Sequence, residues 1–187
     1  MKYLIACLGN IGPEYANTRH NIGFTVADHL AADLESTFTT QRLAQVSTAK
    51  HKGRTLVIIK PTTYMNLSGK AVQYWLKAEH IPLENLLVVV DDIALATGVL
   101  RLKTKGSDAG HNGLQNIIET LGTQEWARLR FGIGDHFPRG KQVDYVLGKW
   151  TPQELDIIQP RIPIAADIVK SFVTLGAERT MNLYNNK

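Results

Sequence analysis

Leu86 to Val90 is a run of five consecutive aliphatic residues that stops abruptly at Asp91-Asp92. Apolar residues without polar alternation mark a strand covered on both faces, as in a sheet with helices packed on either side. A second apolar run, Tyr3 to Leu8, also has strand length and breaks at Gly9, where Gly9, Gly12 and Pro13 force a tight turn. Elsewhere the apolar period changes to that of a helix. Asn21 can cap a helix through Leu34, with Ile22, Val26, Leu30 and Asp33/Leu34 along one face. Leu67 to Glu79 reads as another helix, with Leu67, Ala71, Tyr74/Trp75 and Ala78 on its apolar side. Alternating strand and helix patterns predict an α/β fold built on a layered sheet.

The punctuation of the chain fills in this layout. Gln41 to Lys50 and Arg54 to Lys60 read as a hairpin around His51-Lys52-Gly53, closed by Pro61, which makes the sheet mixed. Thr62 to Asn66 is a polar turn. Val99 to Lys103 alternates, with Arg101 and Lys103 on one face. The loop Gly106 to Gly110 delivers His111-Asn112 to a helix ending at Leu121, and Leu129 to Ile133 and Val143 to Leu147 are further strand candidates. The C-terminal third reads as helical, broken or kinked by Pro160 and Pro163.

A chain of 187 residues, 44% apolar and free of repeats or polar linkers, is expected to form one domain over residues 1–187. The apolar run near its start is too short for a signal peptide or a membrane span. The single cysteine, Cys7, allows no internal disulfide, which fits the reducing cytoplasm. The net charge of +4 is concentrated in residues 99–150, where eight cationic side chains face five acidic ones. That concentration suits a polyanionic partner such as nucleic acid, although solvated lysines on an ordinary surface account for so small an excess equally well.

In an open α/β sheet, ligands bind beyond the carboxyl ends of the strands. Asn10, Tyr15, Arg19, His20 and Asn21 follow the first strand, Asp91 ends the central one, and Asn66, His111 and Asn112 stand at helix starts. Taken singly, an asparagine beside a helix start is usually a cap and a lone histidine usually a surface or satisfied core residue. Asp91 is harder to dismiss, because an unpaired carboxylate ending a buried strand is costly to desolvate. Cys7, inside an apolar strand, reads as a core residue. The six histidines show no paired ligand spacing and Cys7 has no partner, so no metal is expected. No nucleotide cofactor is expected either. Gly9-Asn-Ile-Gly12 lacks a third glycine, and Gly106 to Gly110 lacks the Gly-Lys-Ser/Thr ending of a phosphate loop. One histidine, one carboxylate and several neutral amides remain. A histidine oriented by a carboxylate can take a proton from water, and amides can donate to an oxyanion without depressing the histidine pKa. That set suits hydrolysis of a reactive carbonyl such as an ester, without a covalent intermediate.

Three motifs carry a resemblance across Leu4 to Asn182: Leu8-Gly-Asn-Ile-Gly-Pro-Glu-Tyr15 with Thr18-Arg-His-Asn-Ile-Gly23, Lys60-Pro-Thr-Thr-Tyr-Met-Asn-Leu-Ser-Gly69, and Gly110-His-Asn-Gly113. In this order and spacing the chain resembles the bacterial-type peptidyl-tRNA hydrolases. The resemblance implies a single α/β domain with a mixed, mostly parallel central sheet flanked by helices. It implies His20 as the base that activates water and Asp91 as its orienting partner. Asn10, Asn66 and Asn112 would hold the peptide end, the water and the tRNA 3′ end, while Tyr15, Tyr64, Met65 and His111 would line the cleft. Lys103 and Arg130 match the basic pair that grips the tRNA 5′ phosphate. The implied protein is a cytoplasmic monomer with peptidyl-tRNA as its substrate, no cofactor and no membrane association. The chain departs from the family at Ile11, usually proline, at Ala94, usually a second carboxylate, and at an acid in the Gly106-Ser-Asp-Ala-Gly110 loop. Two rivals share parts of this pattern: a non-hydrolytic RNA-binding relative, against which His20 and Asp91 argue, and a general small-ester hydrolase, which would not need Lys103 and Arg130.

Overall fold

A computed structural model describes residues Met1–Lys187. The strands are β1 (Lys2–Cys7), β2 (Thr39–Gln41), β3 (Ala44–His51), β4 (Arg54–Pro61), β5 (Leu86–Asp92), β6 (Leu100–Lys103) and β7 (Ala127–Gly132). They form one sheet in the order β2-β3-β4-β1-β5-β7-β6. The centre is parallel, β1 pairing with β4 and β5, and β5 with β7, whereas both edges are antiparallel. The helices are α1 (Ile22–Asp33), α2 (Ser68–Ala78), α3 (Asn112–Leu121), α4 (Gln142–Val146), α5 (Pro152–Ile158), α6 (Arg161–Leu175) and α7 (Ala177–Tyr184). None is long and apolar enough to cross a membrane.

The aliphatic run behaves as its pattern requires. Every residue of β5 is buried, because successive side chains feed two different cores. Leu87 and Val89 join Ile5, Cys7, Val26 and Leu30 beneath α1 and α6. Leu86, Val88 and Val90 join Leu4, Ala6, Leu8, Val72 and Leu114 beneath α2 and α3. The first turn of α1 lies directly on strand backbone. A Cβ on Gly23 would fall 2.5 Å from the Leu8 carbonyl oxygen and 2.9 Å from that of Val89.

Several expectations need correction. Val143 to Leu147 is not a strand; it lies in and just after α4. No strand of the sheet pairs with it, and of its four apolar residues only Tyr145 is buried, with Val143 67% exposed. Gln41 to Lys50 is not one strand. It spans the end of β2, a turn with Leu43 at φ 63°, and then β3. The buried side of α2 is Ser68, Gly69, Ala71, Val72, Trp75 and Leu76, so Leu67 and Ala78 fall outside it, and the stripe is rotated from the expected one. Pro160 does break the C-terminal helices, between α5 and α6, whereas Pro163 sits within the first turn of α6, where its missing N–H leaves no helical bond unmade.

Because β1, β4, β5 and β7 run the same way, their carboxyl ends share one edge. That edge carries the turn through Asn10, the Met65–Leu67 turn, Asp91-Asp92, and the chain leaving Gly132.

Candidate active site

His20 lies in a single turn of 3-10 helix, Arg19–Asn21, pressed against the end of β5. Its Nδ1 stands 2.7 Å from Asp91 Oδ2. The other carboxylate oxygen, Oδ1, stands 2.9 Å from Nε2 of His111, the residue that opens α3. The tautomers follow from the bonding. His111 Nδ1 accepts the backbone N–H groups of Gly113 and Leu114, at 3.1 and 3.2 Å, so its proton is on Nε2 and is donated to Asp91. Asp91 likewise accepts the Nδ1 proton of His20, which leaves the His20 Nε2 lone pair free. The two rings are 5.1 Å apart.

Burial by itself would depress the His20 pKa, but the charge and hydrogen bond of Asp91 outweigh it and raise the value above the ordinary 6.5. Burial raises the Asp91 pKa, yet the two histidines hold that carboxyl well below the usual carboxylate range. His20, Asp91 and His111 bring their ligating atoms within 4.8 Å of one another, a juxtaposition that sequence spacing did not reveal. The nitrogens turned toward Asp91 are the protonated ones at hydrogen-bond distance, so the trio reads as one carboxylate orienting two imidazoles.

These residues border a cleft of about 170 Å³ that Asn112, Lys103, Lys105 and Arg130 also line, with Gln142, Val143 and Val146 of α4 as one wall. Arg130 donates through Nε to Asp92, which also accepts the Ala94 N–H at 2.8 Å. Its terminal guanidinium nitrogens make no bond within the chain. Across the antiparallel β6–β7 pair, Arg101 stands opposite Arg130 and Lys103 opposite Arg128. Arg128 is committed elsewhere: it donates to the carbonyls of Gly106, Gln124 and Trp126 and lies over the Trp126 ring. Burial and the neighbouring Arg130 push its pKa down to about 10. Arg128 therefore pins the Gly106 loop. Within that loop Asp108 accepts the Gly110 N–H at 2.8 Å, so the unexpected acid braces a turn.

Asn10, Tyr15, Tyr64, Met65 and Asn66 form a second group, outside the lining of that cleft. Asn10 Oδ1 accepts the Met65 backbone N–H at 2.7 Å, so its NH₂ is the end left without a partner. The Asn10 backbone is held at both its N–H and its carbonyl by the Asn21 side chain, each at 2.8 Å. Asn21 occupies the cap position of α1 without capping it, because its amide ties the Asn10 turn to the residue after His20. Met65 is buried, and the exposed Tyr64 stacks edge-on with Tyr15 at 6.3 Å. Asn66 and Asn112 are exposed, and neither caps a helix; Leu67 and His111 hold the cap positions of α2 and α3.

Sequence reasoning missed Asp92, Lys105 and the α4 wall. Lys105 continues the alternation of Arg101 and Lys103, and Asp92 adjoins Asp91, so both had a signal. The α4 residues had none, since an apolar run as short as Val143 to Leu147 suits a strand as well as a helix.

A protein-family model described as peptidyl-tRNA hydrolase matches residues 4–187. The peptidyl-tRNA hydrolase of Phocaeicola vulgatus is 60% identical over 187 residues, all of both chains. That of Chlorobium phaeobacteroides is 42% identical over 98% of each. The crystal structure of the Acinetobacter baumannii peptidyl-tRNA hydrolase superposes with a TM-score of 0.91 at 35% identity, covering 96% of this chain and 92% of that one.

Proposed function

The chain belongs to the peptidyl-tRNA hydrolase family and hydrolyses peptidyl-tRNA, freeing the tRNA for reuse, and on that premise we propose that His20 is the general base and Asp91 its orienting partner. The observation that carries this reading is the 2.7 Å contact between Asp91 Oδ2 and His20 Nδ1, which leaves Nε2 as an acceptor bordering the cleft. His20 Nε2 takes a proton from water as the water oxygen attacks the ester carbonyl. Negative charge develops on the carbonyl oxygen. The tetrahedral intermediate then collapses, the bond to the 3′ ribose oxygen breaks, and the imidazolium returns its proton to that oxygen. The products are a peptide carboxylate and a tRNA with a free 3′ hydroxyl.

The unpartnered NH₂ of Asn10 suits donation to the carbonyl oxygen or the attacking water, and Asn66 and Asn112 supply further neutral amides. Tyr15, Tyr64 and Met65 form the surface beside Asn10 and serve the peptide end, while His111 holds the second oxygen of Asp91. Lys103 and Arg130 grip the 5′ phosphate of the tRNA. Like charges directly opposite in an antiparallel pair repel, so the Arg101–Arg130 arrangement favours an anion beside it. The single unit over residues 1–187, the monomeric state and the cytoplasmic setting are part of the same proposal; the lone buried Cys7 and a tRNA substrate fit it. Sedimentation of the purified chain tests the monomer.

The decisive comparison is N-acetyl-aminoacyl-tRNA against free aminoacyl-tRNA. A free amino group enters as an ammonium and meets neutral amides, while the carboxylates of the cleft are already engaged, Asp91 by two imidazoles, Asp92 by Arg130 and Asp108 by the Gly110 N–H. Desolvating a charge without a partner costs several kcal/mol, so the blocked ester is expected to react at least about a hundredfold faster in kcat/KM. Equal turnover of the two would overturn the reading, and turnover of neither would favour an RNA-binding role.

A further inference from the structure

The motif around His20 contains a charged residue that the reaction does not use. Arg19 is 7% exposed, and its guanidinium grips Glu154 with two bonds, Nη2 to Oε1 at 2.7 Å and Nε to Oε2 at 3.3 Å. Its third nitrogen, Nη1, donates to the Tyr145 carbonyl at 2.9 Å, and the guanidinium lies 4.1 Å over the Tyr145 ring. The Arg19 backbone N–H bonds the Gly148 carbonyl at 3.0 Å, and Thr18 makes a β-bridge with Lys149. Glu154 is itself fixed, because it and Thr151 form a reciprocal cap at the start of α5. The turn that presents His20 is thus fastened on one side to the sheet through Asp91, and on the other to residues 145–154.

A buried ion pair is an expensive way to fill space, since desolvation commonly cancels its attraction and apolar replacements can be as stable. What the pair supplies here is direction. Two parallel bonds from a planar guanidinium fix distance and angle together, and the residue so fixed immediately precedes the base. We infer that the Arg19–Glu154 pair is a positioning device for His20, holding the turn that aims Nε2 into the cleft and linking that aim to α4, which walls the same cleft. This rests on His20 being the general base. Arg19 and Glu154 touch no reacting atom; they act through His20.

The test is a cycle of variants on pre-folded N-acetyl-aminoacyl-tRNA. Glu154→Gln keeps the shape and the cap on Thr151 but removes the charge, and Arg19→Met/Glu154→Gln removes both charges. Each is expected to lower kcat roughly ten- to a hundredfold with KM little changed, since displacement of a catalytic group by about 1 Å can cost ~10²-fold. The acid limb of the kcat/KM profile should move to lower pH as the His20–Asp91 contact loosens. In a His20→Ala background the same substitutions should cause no further loss, because residues acting as a unit are not additive. Unchanged kcat in folded variants, or a full additional loss on top of His20→Ala, would overturn the inference. Should the double variant fail to fold, Glu154→Gln alone carries the same comparison. Wild-type activity in His20→Ala alone would instead overturn the assignment of the base, so the two failures are distinguishable.

Discussion

His20 is held by opposing influences, and the balance predicts how the protein responds to pH. Burial favours the neutral ring, while Asp91 favours the charged one and prevails, so the pKa lies above 6.5. The base form is lost as pH falls through that raised value, which places the acid limb of kcat/KM above pH 6.5. Asp91→Asn removes the raising influence and leaves burial, so the limb should move downward while kcat falls; a limb that stays in place would show that another group is titrating. His20→Ala should leave a folded protein that still binds tRNA but turns over ~10²–10⁴-fold more slowly. The stabilities follow the opposite senses of the two shifts. The contribution from His20 is complete below its unfolded value and fades as pH rises through the raised one. That from Asp91 is complete above the ordinary carboxylate range and fades only as acid approaches its depressed value.

At the scale of elements, the placing of His20 depends on how closely α1 approaches the sheet. A Cβ at Gly23 would meet backbone atoms of Leu8 and Val89 rather than flexible side-chain ends. Gly23→Ala should therefore cost about 1–3 kcal/mol as overpacking, read as a lowered Tm. It should also lower kcat, because α1 and the His20 turn move together. Unaltered activity at a lowered Tm would uncouple the two. The β6–β7 pair carries the other prediction. Lys103→Ala and Arg130→Ala should raise KM more than they lower kcat and reduce the salt slope of tRNA binding by about one unit per lost phosphate contact. An unchanged slope in both would place the RNA footprint elsewhere.

Legibility divided along the same line. Leu86–Val90 announced β5 because a strand fed by two cores has no polar face to disguise it. Val143 to Leu147 misled because it is a short run with four apolar residues in five, a pattern that strand and helix share. Lys52-Gly53 marks the hairpin, whereas Arg42-Leu43, at the break between β2 and β3, contains no glycine to mark it. In the site, His20 and Asp91 stood out by type and position at strand ends. The resemblance, more than any spacing, supplied Tyr64, Met65, Lys103 and Arg130. The bonds of Asp91 to both imidazoles, and of Arg19 to Glu154, lie beyond any local pattern, since they join residues 71, 20 and 135 positions apart.

For the whole molecule, the one cluster resembling a metal site, His20, Asp91 and His111, is also the one proposed to carry the reaction, so the two readings meet in a single measurement. With tRNA folded beforehand and ionic strength held constant, a zinc chelator should leave turnover unchanged. Loss of activity restored by zinc would make His20, Asp91 and His111 ligands and end the general-base account.

The sheet order also sets a timetable for synthesis. Elements are made in chain order, so a contact between distant residues waits for the later one. The strand carrying Asp91 lies between one pairing strand made earlier, β1, and one made later, β7. The anchor of the His20 turn at Glu154 is made 135 residues after Arg19. A nascent copy that has made β1, β4 and β5 carries Asp91, but it lacks the fastening on the far side of the His20 turn until α5 is made. The fastening of the His20 turn is thus completed only after every strand of the sheet has been made, β7 included.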